Sequence, residues 1–448
     1  MTGLDAYATA YANGATVAAV LGAAIDAIDA TDPVWITRTS RERVLERARV
    51  LDACTPAERA SMPLFGVPFG VKDNIDVAGM PTTAACPAFA YTPERSATVV
   101  ERLEAAGAVV FGKTNLDQFA TGLVGVRSPY GVPRNPFDAR YIPGGSSAGS
   151  AVAVARDLVA FALGTDTAGS GRVPAGFTAT VGLKPTFGTL SAAGVVPACR
   201  SLDCVSIFAR SVDDAQTVLA VAAAIDARDP FSRATPPPVD ALPPAFRFAV
   251  PDTLTFAGDG EAEASFARAV ARLETCGGSR VAVDAAACYE AASLLYNDAF
   301  VAERTAAVGD FLAAHPDALL DVTRTIVEGG RRYSAVDAFR AMYRVRALRR
   351  DAEAIFDAAP VLVVPTSPTI YTLAEIAEEP FARNAMLGTY TNFVNFFDWC
   401  ALAIPSDRYA NGVPIGITLI APAFHEARLA DLGRRFIATA AEDPADSG

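Results

Sequence analysis

The chain has 448 residues, of which 51% are hydrophobic and 20% are charged. This composition excludes an intrinsically disordered protein and is sufficient for a large buried core. The 38 basic and 50 acidic residues give a net charge of −12, which would repel a nucleic acid backbone. No apolar run approaches the roughly 20 residues of a membrane-spanning helix, and the first residues lack the basic start of a secretory signal. We therefore expect a cytoplasmic protein that binds neither nucleic acid nor membrane.

Helix and strand patterns alternate through the first half of the chain. Residues 1–60 form an N-terminal segment with helical spacing of apolar residues at 15–29 and 40–53. Short β-like apolar runs, broken by glycine and proline, then begin at 63–76. The pattern of residues 96–117 predicts a helix that ends at a glycine, followed by a strand and a loop, and residues 147–170 repeat that order. This alternation predicts an α/β fold for a core that spans residues 61–226.

The second half begins after a proline-rich segment at residues 227–246, which predicts a surface connection because it suits neither a helix nor a central strand. Strand patterns occur at 246–251, 359–368 and 413–422, and helical patterns fill 286–357. We expect residues 247–448 to complete the same sheet and to form half of the substrate pocket. The prediction is therefore one domain over residues 1–448 without a C-terminal accessory domain.

The titratable residues narrow the possible chemistry. Seven cysteines occur without a CxxC pair, which predicts neither a disulfide framework nor a zinc ribbon. His315 and His425 are the only histidines, and both lie in polar segments, so we expect neither a Ser-His-Asp triad nor a histidine-rich metal site. Lysine occurs only at positions 72, 113 and 184. Each lysine is a candidate for a task that arginine cannot perform, namely losing a proton.

Three segments rich in small polar residues carry the candidate chemistry: GVKDNI at 70–75, GGSSAGS at 144–150 and GTDTAGSGRVPA at 164–175. The second lacks the GxxxxGK[ST] pattern of a phosphate loop, and taken alone it remains open to a structural turn. The third follows an apolar strand, where α/β folds place ligands and where backbone N–H groups near Ser170 could bind an oxyanion. A serine nucleophile needs a base, and a buried lysine such as Lys72 is the remaining candidate.

Six segments in this order resemble the amidase signature family of serine hydrolases: 66–83, 107–122, 130–136, 143–155, 164–175 and 181–188. The resemblance implies a large mixed β-sheet with helices on both faces. It also implies Lys72 as the base, Ser146 as the bridging serine after a cis peptide bond, and Ser170 as the nucleophile. A proton relay through these three side chains would activate Ser170 for attack on an amide carbonyl.

The same resemblance assigns further roles. Backbone N–H groups of the loop would form the oxyanion hole, with Thr167, Ala168, Gly169 and Ser170 as its members. We expect Ser147, Asp166 and Arg172 to support this site, and Lys113 and Lys184 to be structural. The mechanism requires neither a metal nor an organic cofactor, and the family implies a homodimer.

The second half resembles one branch of the family, the allophanate hydrolases, at 294–312, 384–405 and 412–422. Allophanate is a small planar anion, which a guanidinium fork recognises better than an ammonium group. Tyr296 and Arg304 are eight residues apart, so both can project from one helix face, and the resemblance implies that they bind the substrate carboxylate. Arg127 is a weaker candidate, and Asn115 and Gln118 could add amide donors.

Other functions stay open at this point. The chain could hydrolyse another small acid amide or a carboxybiuret-like substrate. It could also be the amidase subunit of an amidotransferase complex, or a binding scaffold without activity.

Allophanate hydrolases commonly carry a second domain that processes the first product, whereas this chain ends at residue 448, soon after the last matching segment. Ala168 and Gly171 depart in size from the family pattern, which predicts a reshaped pocket.

Overall fold

A computed structural model describes residues 1–29 and 31–441 and shows one sheet of eleven strands in these ranges. They are β1 (Trp35–Arg38), β2 (Pro68–Lys72), β3 (Val109–Thr114), β4 (Phe161–Asp166), β5 (Val181–Lys184), β6 (Cys204–Ala209), β7 (Phe246–Pro251), β8 (Gly278–Val283), β9 (Leu362–Pro365), β10 (Cys400–Arg408) and β11 (Pro414–Ala421). Across the sheet the order is β1-β3-β2-β4-β6-β5-β10-β11-β9-β7-β8.

The sheet is mixed and joins the two halves of the chain. Strand β2 runs parallel to β3 and β4, and β7 runs parallel to β8 and β9, whereas the other neighbouring strands are antiparallel. The halves meet where β5 pairs with β10. The proline-rich segment contains neither helix nor strand until Phe246 begins β7. The predicted α/β fold with a large mixed sheet is confirmed.

Helices connect most of the consecutive strands. The described α-helices are α1 (Gly3–Ala12), α2 (Val17–Asp26), α3 (Arg41–Asp52), α4 (Pro56–Ala60), α5 (Thr98–Ala105), α6 (Ala148–Ala155), α7 (Val173–Thr178), α8 (Val212–Ala222), α9 (Gly260–Thr275), α10 (Ala286–Asn297), α11 (Ala302–Ala314), α12 (Asp321–Gly329), α13 (Ala335–Ala358), α14 (Leu373–Glu378), α15 (Ala382–Leu387), α16 (Asn392–Phe396) and α17 (Glu426–Ala441). Short 3₁₀ turns occur at Pro87–Phe89, Gln118–Ala120, Ala299–Val301 and Gly330–Arg332. None of the helices in the described ranges is long and apolar enough to cross a membrane.

In the half of the sheet that contains β7, β9 and β11, both faces are buried, because alternate residues of these strands belong to different hydrophobic clusters. In β7, Phe248 and Val250 pack in one cluster and Ala249 in another, and β9 and β11 alternate in the same way. Residues of α2, α3, α9 and α17 belong to the first cluster, and residues of α10 and α13 belong to the second. Helices therefore cover both faces, and polar groups cluster at the ends of the strands.

Candidate active site

Three adjacent parallel strands end at one edge of the sheet and define the site. Lys72 is the last residue of β2 and lies in register with Thr114, the last residue of β3. Asp166 ends β4 on the other side of β2. Because carboxyl ends of parallel strands share an edge, chain segments distant in sequence place their polar side chains together here. The two adjacent serines, Ser146 and Ser147, immediately precede α6 at this edge.

The side chain of Lys72 is completely buried and contacts two hydroxyl groups. Its Nζ lies 2.7 Å from Ser146 Oγ and 2.8 Å from Thr165 Oγ1. Burial lowers the pKa of Lys72 to about 7, although Asp117, Asp203 and Asp166 act in the opposite direction through their negative charge. A lysine with this pKa is largely neutral just above pH 7 and can accept a proton from the hydroxyl beside it.

The backbone around Ser146 is held by Asp117. The Gly145–Ser146 peptide bond is cis. The Asp117 N–H donates to the Ser146 carbonyl at 3.0 Å, while its carboxylate accepts the N–H groups of Gly125 at 2.9 Å and Arg127 at 2.8 Å. A Cβ on Gly145 would collide with the Asp117 carboxylate and the Gly125 backbone, so only glycine fits at this position.

Ser147 turns away from Ser146 and contacts the strand beneath the turn. Its hydroxyl donates to the Thr165 carbonyl at 3.1 Å and is buried. Thr165 also contacts Lys72 through its own hydroxyl, and Asn74 donates to that hydroxyl at 3.3 Å. The two adjacent serines thus have separate surroundings, and Ser147 ties the turn to β4.

A buried ion pair between Asp166 and Arg172 shapes the loop that carries Ser170. Nε and Nη2 of Arg172 each lie 2.9 Å from a carboxylate oxygen of Asp166, and both side chains are fully buried. The carboxylate also accepts the N–H groups of Gly169 at 2.8 Å and Gly171 at 2.9 Å. Burial opposes ionisation of Asp166, but Arg172 and these donors hold its pKa below the ordinary value.

The second half of the chain fixes the same loop from outside. Arg172 donates to the Thr391 carbonyl at 3.0 Å and to Asn395 Oδ1 at 2.9 Å. Asn395 in turn donates to the Asp166 carbonyl at 2.8 Å, and the Thr391 hydroxyl donates to the Ala168 carbonyl at 2.6 Å. Residues next to or within α16 therefore hold a loop more than 200 residues earlier in the chain.

The predicted oxyanion hole needs one correction. The Gly169 N–H donates to Asp166 and is not available to a ligand in this structure. Backbone N–H groups of Thr167, Ala168 and Ser170 have no acceptor among the described residues. These three groups are the remaining candidate donors, and they lie on the same short loop as Ser170.

The hydroxyls of Ser146 and Ser170 are not hydrogen-bonded to each other within the described ranges. The Ser170 Oγ lies instead 3.5 Å from the Gly122 carbonyl. Gly122 precedes Leu123, whose carbonyl accepts the Gly145 N–H at 2.8 Å. The structure thus brings Lys72 and Ser146 together, and the step from Ser146 to Ser170 stays a prediction.

The side chains of Arg304 and Tyr296 are in contact, but the two residues lie on different helices and not on the single helix that was predicted. Tyr296 lies at the end of α10 and Arg304 near the start of α11. The chain breaks between these helices because the Asp298 side chain accepts the Ala299 N–H at 2.6 Å and starts a 3₁₀ turn. The guanidinium of Arg304 lies over the Tyr296 ring, 4.7 Å from its centroid, and Nη2 lies 3.3 Å from the Tyr296 hydroxyl.

Arg304 is buried, and no carboxylate of the described residues lies within salt-bridge distance of its guanidinium. Its Nη1 lies 2.9 Å from Cys199 Sγ, and its Nε has no hydrogen-bond partner among the described residues. The residue is only 2% exposed. Within the described ranges, no salt bridge involves this guanidinium. A buried cation with an unused donor is suited to bind an anion that enters the site.

Arg127 makes a different set of contacts. Its Nη1 donates to the Thr121 carbonyl at 3.0 Å and its Nη2 to the Pro380 carbonyl at 2.6 Å, so it mainly holds backbone. It nevertheless lines a cavity of about 230 Å³ together with Tyr296 and Asn384. Arg127 therefore stays the weaker candidate for substrate binding.

Several expectations for neighbouring residues are wrong. The amide nitrogen of Asn115 donates to the Pro33 and Gly131 carbonyls, and that of Gln118 donates to the Ala85 carbonyl, so neither amide is free for substrate. A Cβ on Gly171 would face Ser206 in β6 rather than a ligand pocket. Its small size therefore makes room for the sheet and does not reshape the substrate pocket.

The other two lysines have structural partners. Lys113 Nζ lies 3.1 Å from the buried Asp73 carboxylate, and Lys184 Nζ donates to the Trp399 carbonyl at 2.7 Å.

The sequence did not identify Asp117 and Asp203, whose negative charges raise the pKa of Lys72. Asp117 closely follows β3 at the site edge, and that position is a signal that could have identified it.

At this edge of the mixed sheet a buried lysine lies beside a serine that closely precedes a helix, and a glycine-rich loop follows the neighbouring strand. The family model "Amidase" matches residues 19–430, and the chain belongs to this family. It is 45% identical over 413 residues to a urea amidolyase of Lachancea kluyveri, covering 91% of this chain and 22% of that protein. The chain therefore spans about a fifth of the length of that relative.

Solved structures and a second group of relatives agree with this assignment. The allophanate hydrolase of Kluyveromyces lactis is 42% identical with a TM-score of 0.94, and the match covers 97% of this chain and 72% of the other. A glutamyl-tRNA(Gln) amidotransferase subunit of Symbiobacterium thermophilum is 37% identical over 422 residues, covering 87% of this chain and 86% of that protein. The amidase family thus includes relatives of two functional kinds.

Proposed function

We propose that this chain is a serine amidohydrolase that cleaves the amide C–N bond of allophanate and releases ammonia. The observation that carries the proposal is the buried contact between Lys72 Nζ and Ser146 Oγ at 2.7 Å, with a lysine pKa of about 7. The relatives named urea amidolyase and allophanate hydrolase support the choice of substrate.

The proposed mechanism is a proton relay followed by acyl transfer. Neutral Lys72 takes the Ser146 proton, Ser146 takes the Ser170 proton, and Ser170 Oγ attacks the terminal carbonyl of allophanate. Backbone N–H groups of Thr167, Ala168 and Ser170 stabilise the oxyanion. Ser146 returns a proton to the leaving nitrogen, and ammonia departs as the C–N bond breaks. Water then attacks the acyl group by the same relay and releases N-carboxycarbamate.

Arg304 and Tyr296 are proposed to bind the substrate carboxylate. The guanidinium Nε, which has no partner in the described part of the chain, forms a planar fork with the Nη groups, and the Tyr296 hydroxyl adjoins it. Allophanate is short, so its carboxylate and its reacting carbonyl must be bound together by one rigid site. Arg127 lines a cavity that Tyr296 also borders, and it adds positive charge there.

We further propose that residues 1–448 form a single amidase domain that acts as a cytoplasmic homodimer. No metal or organic cofactor takes part in the proposed steps. Sedimentation analysis of the purified chain tests the dimer, and activity after treatment with a chelator tests the requirement for metal. N-carboxycarbamate is the product of the proposed steps, and none of these steps converts it further.

A substrate panel tests the proposal. We expect one ammonia per allophanate consumed, slower release from malonamate and much slower release from neutral amides. Ser170→Ala should abolish the activity. Ser265→Ala is the matched control, because this serine on α9 is also buried but its hydroxyl has no hydrogen-bond partner among the described residues. Faster turnover of another small acid amide than of allophanate would assign the site to that substrate.

A second candidate function, the amidase subunit of an amidotransferase, is favoured by the match over 86% of the amidotransferase protein from Symbiobacterium thermophilum. An amidase subunit of this kind is expected to depend on its complex. Ammonia release by the purified chain alone would therefore exclude this alternative, whereas activity that requires an added partner would support it.

A further inference from the structure

The turn at residues 198–203 lies between the two parts of the proposed site. It directly precedes β6, and it is closed by the N–H groups of Leu202 and Asp203, which donate to the Cys199 carbonyl at 2.8 and 2.9 Å. The mechanism proposed above assigns no step to this turn. Its side chains nevertheless contact both the proposed carboxylate site and the loop that carries Ser170.

One side of the turn contacts α11. Cys199 Sγ accepts from Arg304 Nη1 at 2.9 Å, and the Ser201 hydroxyl donates to Glu303 Oε2 at 2.8 Å. Burial raises the pKa of the Cys199 thiol to about 12, so a neutral sulfur faces the guanidinium. The position of the turn is therefore coupled to the position of Arg304.

Asp203 forms the other side of the turn. Its carboxylate accepts the N–H groups of Ala198 at 2.8 Å and Cys199 at 3.2 Å, and it accepts the Thr167 hydroxyl in a further hydrogen bond. The side chain is 6% exposed, and no salt bridge reaches it within the described ranges. Its hydrogen bonds thus connect the turn to the loop after β4, and its negative charge also acts on Lys72.

We propose that Asp203 is a positioning residue that fixes Thr167, and with it the oxyanion donors, relative to Arg304. This inference rests on the proposed function and deepens it. In allophanate a single nitrogen separates the reacting carbonyl from the carboxylate carbon, so the donors for the two groups must keep a fixed spacing. The turn provides that spacing because it binds Arg304 through Cys199 and Thr167 through Asp203. A displacement of about 1 Å at such a site can cost roughly a hundredfold in rate.

A double-mutant cycle between Asp203→Ala and Thr167→Val tests the coupling. We expect each single variant to lower kcat by about ten- to a hundredfold with little change in KM, because the donors are misplaced but the carboxylate site remains. The double variant should be no slower than the slower single variant, because both substitutions remove the same hydrogen bond. Thr167→Ser keeps the hydroxyl and should restore most of the rate.

Asp214→Ala is the matched control for loss of a buried aspartate. Its carboxylate accepts the Leu4 N–H at 3.3 Å, remote from the site, and the residue is 7% exposed. Both aspartate variants should lose thermal stability, but only Asp203→Ala should lose kcat. If Asp203→Ala does not fold, Asp203→Asn replaces it, because the amide keeps one acceptor and cannot satisfy all three donors.

A small fluorophosphonate provides a readout that does not depend on the amide substrate. It phosphonylates the nucleophilic serine, and its phosphoryl oxygen occupies the oxyanion position, so its inactivation rate reports the same donors. If the wild-type chain reacts with it but does not hydrolyse allophanate, the substrate assignment fails while the cycle still decides the role of Asp203. Independent, multiplicative losses in the double variant would overturn the inference. A wild-type chain that does not react with the probe would overturn both proposals.

Discussion

The pH dependence of amide hydrolysis is a direct test of Lys72 as the base. Lys72 must be uncharged to accept a proton from Ser146, which lies 2.7 Å away. Burial lowers the pKa of Lys72 from 10.5 to about 7, even though three carboxylates favour its charged form. Protonation removes the base, so we expect kcat/KM to rise with pH through about 7 and then to level off.

The size of the effect follows from the neutral fraction of Lys72. One pH unit below the pKa about a tenth of the side chain is neutral, and two units below about a hundredth is neutral. Activity should therefore fall about tenfold at pH 6 and about a hundredfold at pH 5. An unshifted lysine would be neutral in only about one molecule in three thousand at pH 7, so burial contributes about three orders of magnitude.

The assay is ammonia release between pH 5 and about 10.5, measured with a neutral amide whose own charge does not change in this range. Lys72→Met should lose the activity at every pH. A profile that is flat between pH 6 and 8, or that first rises above pH 9, would refute the assignment.

The pH dependence of the free energy of unfolding provides an independent test of the depressed pKa of Lys72. Between pH 7 and 10.5 the unfolded chain binds one proton more at Lys72 than the folded chain does, because the folded pKa is depressed. The contribution of this lysine to the free energy of unfolding should therefore rise with pH across that window and become constant below it. Lys72→Met should remove this contribution, which denaturant titrations at several pH values can measure.

Three further substitutions test the substrate site and the loop. Arg304→Gln should lower kcat/KM for allophanate by about thirtyfold or more, because truncating one partner of a buried charge pair costs about 2–5 kcal/mol, but it should leave neutral amides nearly unaffected. An equal loss for both substrates would contradict the carboxylate role. Gly145→Ala should abolish activity and cost about 1–3 kcal/mol in a thermal melt, since Asp117 leaves no room for a methyl group. Arg172→Met should cost about 3–5 kcal/mol in urea because it leaves the Asp166 charge buried and unpaired, and an unchanged stability would contradict that pairing.

Local patterns predicted the parts of the site that depend on local structure. Lys72 ends a short apolar segment, PFGVK, which forms a fully buried strand as the pattern indicates. The helix–strand order around residues 96–117 and 147–170 is also confirmed, with β3 and β4 as its strands. The cis peptide bond before Ser146 was expected from the family resemblance, and the Gly145–Ser146 bond is cis. For the strands and helices, a few neighbouring residues determine the conformation.

Contacts between distant segments could not be predicted in this way. Asn395 and Thr391 hold the Ser170 loop from more than 200 residues away, and nothing in their local sequence marks them. The spacing of Tyr296 and Arg304 predicted a single helix, but Asp298 caps a new turn between them. Helical periodicity does not reveal such a break when the residues on both sides favour a helix.

A neutral lysine at this site requires that nearby negative charge be compensated elsewhere. Asp166 is paired with Arg172, and Asp117 accepts backbone N–H groups of Gly125 and Arg127, so neither carboxylate depends on Lys72 for its hydrogen bonds. The only groups within hydrogen-bonding distance of Lys72 Nζ among the described residues are the Ser146 and Thr165 hydroxyls. Desolvation can then outweigh the more distant attraction of the carboxylates. The loop that positions Ser170 and the base that would activate it thus depend on the same buried ion pair.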